Sequence, residues 1–209
     1  MKIDAALNVT SAYLRVNGYF VLTELEFHQK ADGGYRAITD VDILALRLPT
    51  DSGPAHYHAA NANGAVECLL AGQVDPALEV ATDRIDVIIG EVKRGEVSVN
   101  EALRDPRVLH AALRRIGRLT PEPLDVLVDD LVDRGEASTP TARIRIVAFG
   151  LRGSATNASV VHHDHMIDWL DELLGLHRDL FEVTNFSDPV LSLLALSARV
   201  DRPFTPVES

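Results

Sequence analysis

The sequence predicts an α/β sandwich on a mixed sheet. Two strand-like segments joined by a short glycine turn form a hairpin, which an all-parallel sheet cannot contain. Soon after comes a strand that is apolar on both faces, the pattern of a central strand covered on both sides. Segments with helical periodicity precede and follow these strands, so the order reads helix, strand, strand, strand, helix, strand.

Residues 3 to 17 place Ile3, Leu7, Thr10 and Leu14 at helical spacing, with Tyr13 and Val16 widening the stripe and Gly18 as a stop. YFVLTELEFHQ then reads as a strand, ADGG as its turn and RAITDVDILALRLP as the returning strand. From Thr50 to about Val80 the chain is rich in Gly, Ala, Asn, His and Pro, with a short helix around GAVECLLAG, and is expected to be an insertion between two core strands. RIDVIIGEVKR follows as the mid-sheet strand. Asp105 and Pro106 open a helix ending at Gly117, a second runs from about Glu122 to Arg134 before Gly135, TARIRIVAFGL is a strand and SVVHH a short one. HMIDWLDELLGLH is a helix, and Asp188 with Pro189 begins the last. We therefore expect a core over 1–163, with 164–209 as helices packed on the same domain.

At 209 residues the chain can bury a real core without disulfides, and its single Cys68 cannot form an internal bridge. The N-terminus lacks a basic region followed by an apolar block, and no apolar run has the length of a membrane span, so the expectation is a cytoplasmic protein with no membrane partner. A formal net charge of −11 opposes general phosphate binding, so any nucleic-acid contact must be local. Arg104, Arg107, Arg114, Arg115 and Arg118, close to Lys93 and Arg94, supply such a patch. We single out Arg94, Arg114, Arg115 and Arg118 as phosphate contacts, against the alternative of an ordinary solvated helix face.

Alternation along a strand puts Glu91 and Lys93 on one face, with Val92 facing the opposite layer. On the preceding strand Asp40 and Asp42 share a face with Ile38 and Leu44, and a suitable register brings Asp42 to Glu91 and Lys93. Two carboxylates can bind Mg²⁺ and leave positions for water and a phosphate oxygen, while the ammonium stabilises charge developing on phosphorus. The bland alternative is a solvated Glu91–Lys93 pair with Asp42 at an edge. A core strand running directly into both charges favours function, because unpaired ions at a buried rim are costly.

On TDVDILALR, residues 39 to 47, and DVIIGEVKRG, residues 86 to 95, the chain resembles the PD-(D/E)xK nuclease superfamily. The resemblance implies a restriction-endonuclease-like α-β-β-β-α-β core and a nuclease acting on DNA or RNA with Mg²⁺ or Mn²⁺. By it Asp42 takes the place of the metal-binding aspartate, Glu91 the second acid and Lys93 the motif lysine, with Val92 offering its carbonyl. The helix-one acid of some relatives is represented here only by Asp4, so the accessory role falls to Glu24, Glu26 or Asp40 or stays vacant. A non-catalytic nuclease-like module that binds a protein partner or a nucleic-acid end is the alternative, and a homodimer is compatible with either. His56, His58, His162, His163 and His165 read as surface, capping or packing histidines, since no cysteine or H-E-x-x-H framework accompanies them. Histidine-bound zinc is the third reading.

Overall fold

A computed structural model describes residues 4–49, 74–117 and 122–200. The expected short helix around residues 64–72, most of the expected insertion, Cys68, His56, His58 and Arg118 lie outside the described residues.

The elements follow in the order α1 (Ala5–Val16), β1 (Phe20–Ala31), β2 (Gly34–Arg47), β3 (Ile85–Val92), α2 (Pro106–Ile116), α3 (Leu124–Arg134), β4 (Glu136–Ser138), β5 (Ala142–Gly150), β6 (Ser159–His162), α4 (His163–Leu176), α5 (Arg178–Val183) and α6 (Pro189–Arg199). Two 3₁₀ turns, Pro76–Leu78 and Glu101–Arg104, lie on the connections flanking β3. β4 and α5 are absent from the sequence reading. The first is a three-residue strand and the second a six-residue helix, both too short to impose a period.

Helix starts follow local chemistry. Asp4 caps α1 by accepting from the amides of Ala6 and Leu7. Asp105 and Asp188 cap α2 and α6, each followed by a proline that has no amide to satisfy. At the end of α3, Gly135 takes φ 73°, and a Cβ there would lie 1.8 Å from the Asn157 carbonyl oxygen, so the position demands glycine.

The sheet runs β1-β2-β3-β5-β4, with β6 also pairing β5. β1, β2 and β3 are successively antiparallel, whereas β3 and β5 are parallel. β4 pairs with Arg143 to Arg145 of β5 and β6 with Val147 to Gly150, so the two short strands occupy the same edge end to end. β3 is central and buried over Asp86–Glu91, as its apolar text predicts.

Two cores cover the sheet. On one face Ile43, Ala45, Ile88, Val147 and Phe149 pack with α1, α4, α5 and α6. On the other, Leu44, Val87, Ile89, Ile144 and Ile146 pack with α2 and α3. The C-terminal helices thus share a core with α1. Under the first face Asp86 and Arg145, both nearly inaccessible, form a 3.0 Å ion pair. Arg145 also donates to the Leu78 carbonyl and Asp86 accepts from the Ala81 amide, which ties the returning chain to the sheet.

Candidate active site

Pairing of β2 with β3 runs from Arg47↔Asp86 to Ile43↔Gly90, and one step further would set Asp42 against Glu91. There the ladder gives way to a side-chain contact: Asp42 Oδ2 accepts the Val92 amide at 2.7 Å. Alternation assigns Glu91 to the face of Val87 and Ile89, while Val92 packs into the opposite core beside α1, as expected. Glu91 is only 4% exposed. Its Oε1 accepts a hydrogen bond from Lys93 Nζ, and the lysine side chain remains 36% exposed.

The electrostatics record how close these groups lie. Burial pushes the Glu91 carboxyl above its ordinary range, opposed by the Lys93 ammonium and reinforced by the charges of Asp42 and Asp40. Asp42 rises for the same first reason, burial, offset by the Val92 amide and reinforced by Asp40. Both acids hold their protons more tightly than free carboxylates do. A cation delivered between them would reverse that preference.

Asp40 is exposed one alternation before Asp42, and Glu26 lies directly across from it on β1. Glu24 falls between the Thr23↔Ile43 and Leu25↔Val41 pairs, hence opposite Asp42, and takes a left-handed φ of 54° that interrupts the regular ladder. It and Glu26 are exposed. Of these three exposed acids, Asp40 lies near enough for its charge to be felt by both Asp42 and Glu91.

Asp4 has more to do than the sequence suggested. While Oδ1 caps α1, Oδ2 accepts from Arg94 Nη2 at 2.8 Å, and its charge is felt by Asp42. The helix-one acid therefore reaches the neighbourhood of the pair, and Arg94, expected to face phosphate, is engaged with it. His163, at the start of α4, is buried with Nε2 lacking a partner; burial lowers its pKa, and Asp4 is among the charges it senses. Sequence reasoning missed this approach of α4 to α1, because only packing brings the residues together.

Arg114 and Arg115 are exposed on the last turn of α2, opposite buried Leu109 and Leu113. Seven and eight residues beyond Arg107, they stand about 10–12 Å further along the helix axis. Arg107 itself joins Asp105 to Gln29 of β1, so the start of α2 is tied to the hairpin.

Among the described residues no group of three or more His, Cys, Asp or Glu side chains is arranged to hold a metal ion. The proposed donors are fewer: the carboxylates of Asp42 and Glu91 with a backbone carbonyl. Their chemistry fits a hard divalent cation, because buried Glu91 and half-buried Asp42 are both raised by burial and by the charge of Asp40, and Asp42 raises Glu91 further, which leaves the pair short of positive charge. No helix among the described residues is long and apolar enough to cross a membrane. No protein-family model, curated protein or solved structure matches this chain.

Proposed function

We propose that the chain is a metal-dependent nuclease that hydrolyses phosphodiester bonds of DNA or RNA at Asp42, Glu91 and Lys93, on a restriction-endonuclease-like core. The observation that carries this reading is the burial of Glu91 beside a second carboxylate at the end of the central strands, where a single lysine cannot neutralise both. A structural reading accounts for Glu91 and Lys93 as an ion pair and for one oxygen of Asp42 as the acceptor of the Val92 amide, and leaves two carboxylates at the end of the strands beside one ammonium.

In this reading Asp42 and Glu91, with the Val92 carbonyl, hold Mg²⁺ or Mn²⁺, which when bound supplies Lewis-acid stabilisation of charge on the phosphoryl oxygens. Asp42 is held in place by the Val92 amide, so its free oxygen keeps one direction. Lys93 leaves Glu91 to orient the attacking water or to stabilise the phosphorane, and its partial exposure gives it room to move. Burial of the acids excludes bulk water and strengthens each of these interactions. Purified protein with Mg²⁺ or Mn²⁺ is expected to cut at least one of single-stranded, duplex or branched DNA or RNA. The reading fails if cutting is no faster than that of a Glu91→Ala, Lys93→Ala double variant.

A second reading, a non-catalytic nuclease-like module binding a partner protein or nucleic-acid end, draws on a different observation. Lys93, Arg94 and Arg107 are each already paired with an acid, which reduces the positive charge offered to a phosphate backbone. Calorimetry separates the two, since this reading requires no Mg²⁺ or Mn²⁺ binding and a partner affinity unaffected by Glu91→Ala.

A further inference from the structure

The end of β3 sends two cations to opposite sides. Lys93 joins Glu91, whereas Arg94 crosses toward α1, the layer against which Val92 packs, and ends on Asp4. Arg94 Nε and Nη2 both donate to Asp4 Oδ2, at 3.1 Å and 2.8 Å. The arginine side chain is nonetheless 58% exposed, and its Nη1 has no hydrogen-bond partner among the described residues.

Asp4 divides two tasks between its oxygens. Oδ1 accepts the Ala6 and Leu7 amides and starts α1, a task that an uncharged asparagine performs equally well. Oδ2 is left for Arg94, whose guanidinium is the first cause holding the Asp4 carboxyl below its ordinary range. A charge that the helix cap does not need is thus set on an arginine fork, where a phosphate oxygen would sit. Asp4 also lies close enough to raise Asp42, so this contact belongs to the rim of the candidate site. The plain alternative is a structural tie between α1 and the end of β3. An ion pair this exposed contributes little to stability, however, and is readily exchanged for a stronger anion. A nucleic-acid phosphate is such an anion, because it offers several oxygens to the guanidinium where Asp4 offers one.

We propose that Arg94 is a phosphate subsite for nucleic acid beside the candidate site, held closed by Asp4, whose carboxylate an arriving phosphate displaces. The inference rests on the nuclease reading for its partner and adds to it the group that limits binding. Freeing Arg94 strips Asp4 of its cation, so the exchange lowers affinity. It also reduces the net release of counterions, since the bared carboxylate takes one up as the phosphate gives one off.

The test measures binding rather than cleavage: full-length protein in chelator, fluorescence anisotropy on a labelled oligo-dT strand and on a labelled duplex, over a series of salt concentrations. Asp4→Asn keeps the cap and removes the competing charge, with the fold checked by circular dichroism. It should bind about two- to fivefold tighter than wild type. Its log–log salt slope should be steeper by up to about 0.9 on the duplex and about 0.7 on the single strand. Arg94→Gln should bind more weakly than wild type with a shallower slope. In that background the gain from Asp4→Asn should shrink to less than about half, which separates the pair from a general loss of negative charge. Wild-type binding that Asp4→Asn leaves unchanged or weakens, or an equal gain in both backgrounds, overturns the closed subsite and leaves the nuclease reading standing. If no protein in the set binds either probe at the lowest salt, the inference also falls, and the cleavage comparison with the Glu91→Ala, Lys93→Ala double variant decides the nuclease reading separately.

Discussion

Asp42 and Val92 are joined by a 2.7 Å hydrogen bond from the backbone amide of one strand to the carboxylate of the next, placed where the β2–β3 ladder stops. The bond gives Asp42 both a structural and a chemical duty, and substitution can separate them. Asp42→Ala leaves the Val92 amide without its acceptor and should cost about 1–3 kcal/mol, whereas Asp42→Asn keeps an acceptor and should cost less than about 1 kcal/mol. Both should abolish metal-stimulated cleavage. Urea denaturation beside a nuclease assay checks this, and equal stability losses in the two variants would refute the clamp.

Glu91 predicts a pH dependence of stability. Its folded pKa is raised, so the native state keeps this proton where the unfolded chain has released it. The resulting stabilisation is complete below the unfolded carboxylate range of about 4 and is lost as pH rises through the folded value. Asp42 contributes in the same direction. Glu91→Gln should therefore gain Tm relative to wild type as pH rises from about 4 to about 7, measured without divalent ions. Saturating Mg²⁺, at about 100 times its Kd, should then stabilise the wild type by about 2.7 kcal/mol and the variant far less. A Tm difference independent of pH would remove the argument.

Gly90 makes room for Ile43 and Phe149 on the neighbouring strands. A Cβ at this position would stand 3.1 Å from Ile43 Cβ and 3.1 Å from Phe149 Cε2, tighter than side chains normally approach. Gly90→Ala should destabilise by about 1–3 kcal/mol and, by pushing β3 from its neighbours, reduce cleavage beyond what unfolding explains. Chemical denaturation should show a lower midpoint with an unchanged m-value.

The Asp86–Arg145 pair predicts strong coupling. With both side chains enclosed, Asp86→Ala or Arg145→Ala leaves a buried charge without its partner and should cost about 3–5 kcal/mol. Replacing both together, Asp86→Leu with Arg145→Met, should cost much less than the two alanine substitutions added. A double-mutant cycle with an interaction energy near zero would show the pair to be incidental.

The element order and most boundaries were legible because local rules decided them. Period-two text defined the hairpin, an all-apolar run made β3 central, and Asp-Pro pairs opened α2 and α6 where expected. Glu91 and Lys93 could be read as neighbours on one face because a single strand carries both. Asp42 could be read only as a candidate, since its partner depends on a register that no single strand encodes.

The sequence by itself thus determined the mixed α/β architecture and which residue types a reactive end of β3 could use. Tertiary structure alone decided that Asp42 meets the Val92 amide, that Asp4 of α1 holds Arg94, and that Asp75 lies beneath His165 ninety residues away. The physical reason is range. Periodicity, caps and turns act over a few residues and leave their signal in the adjacent text, whereas these contacts join distant segments whose meeting is set by the packing of both faces of the sheet.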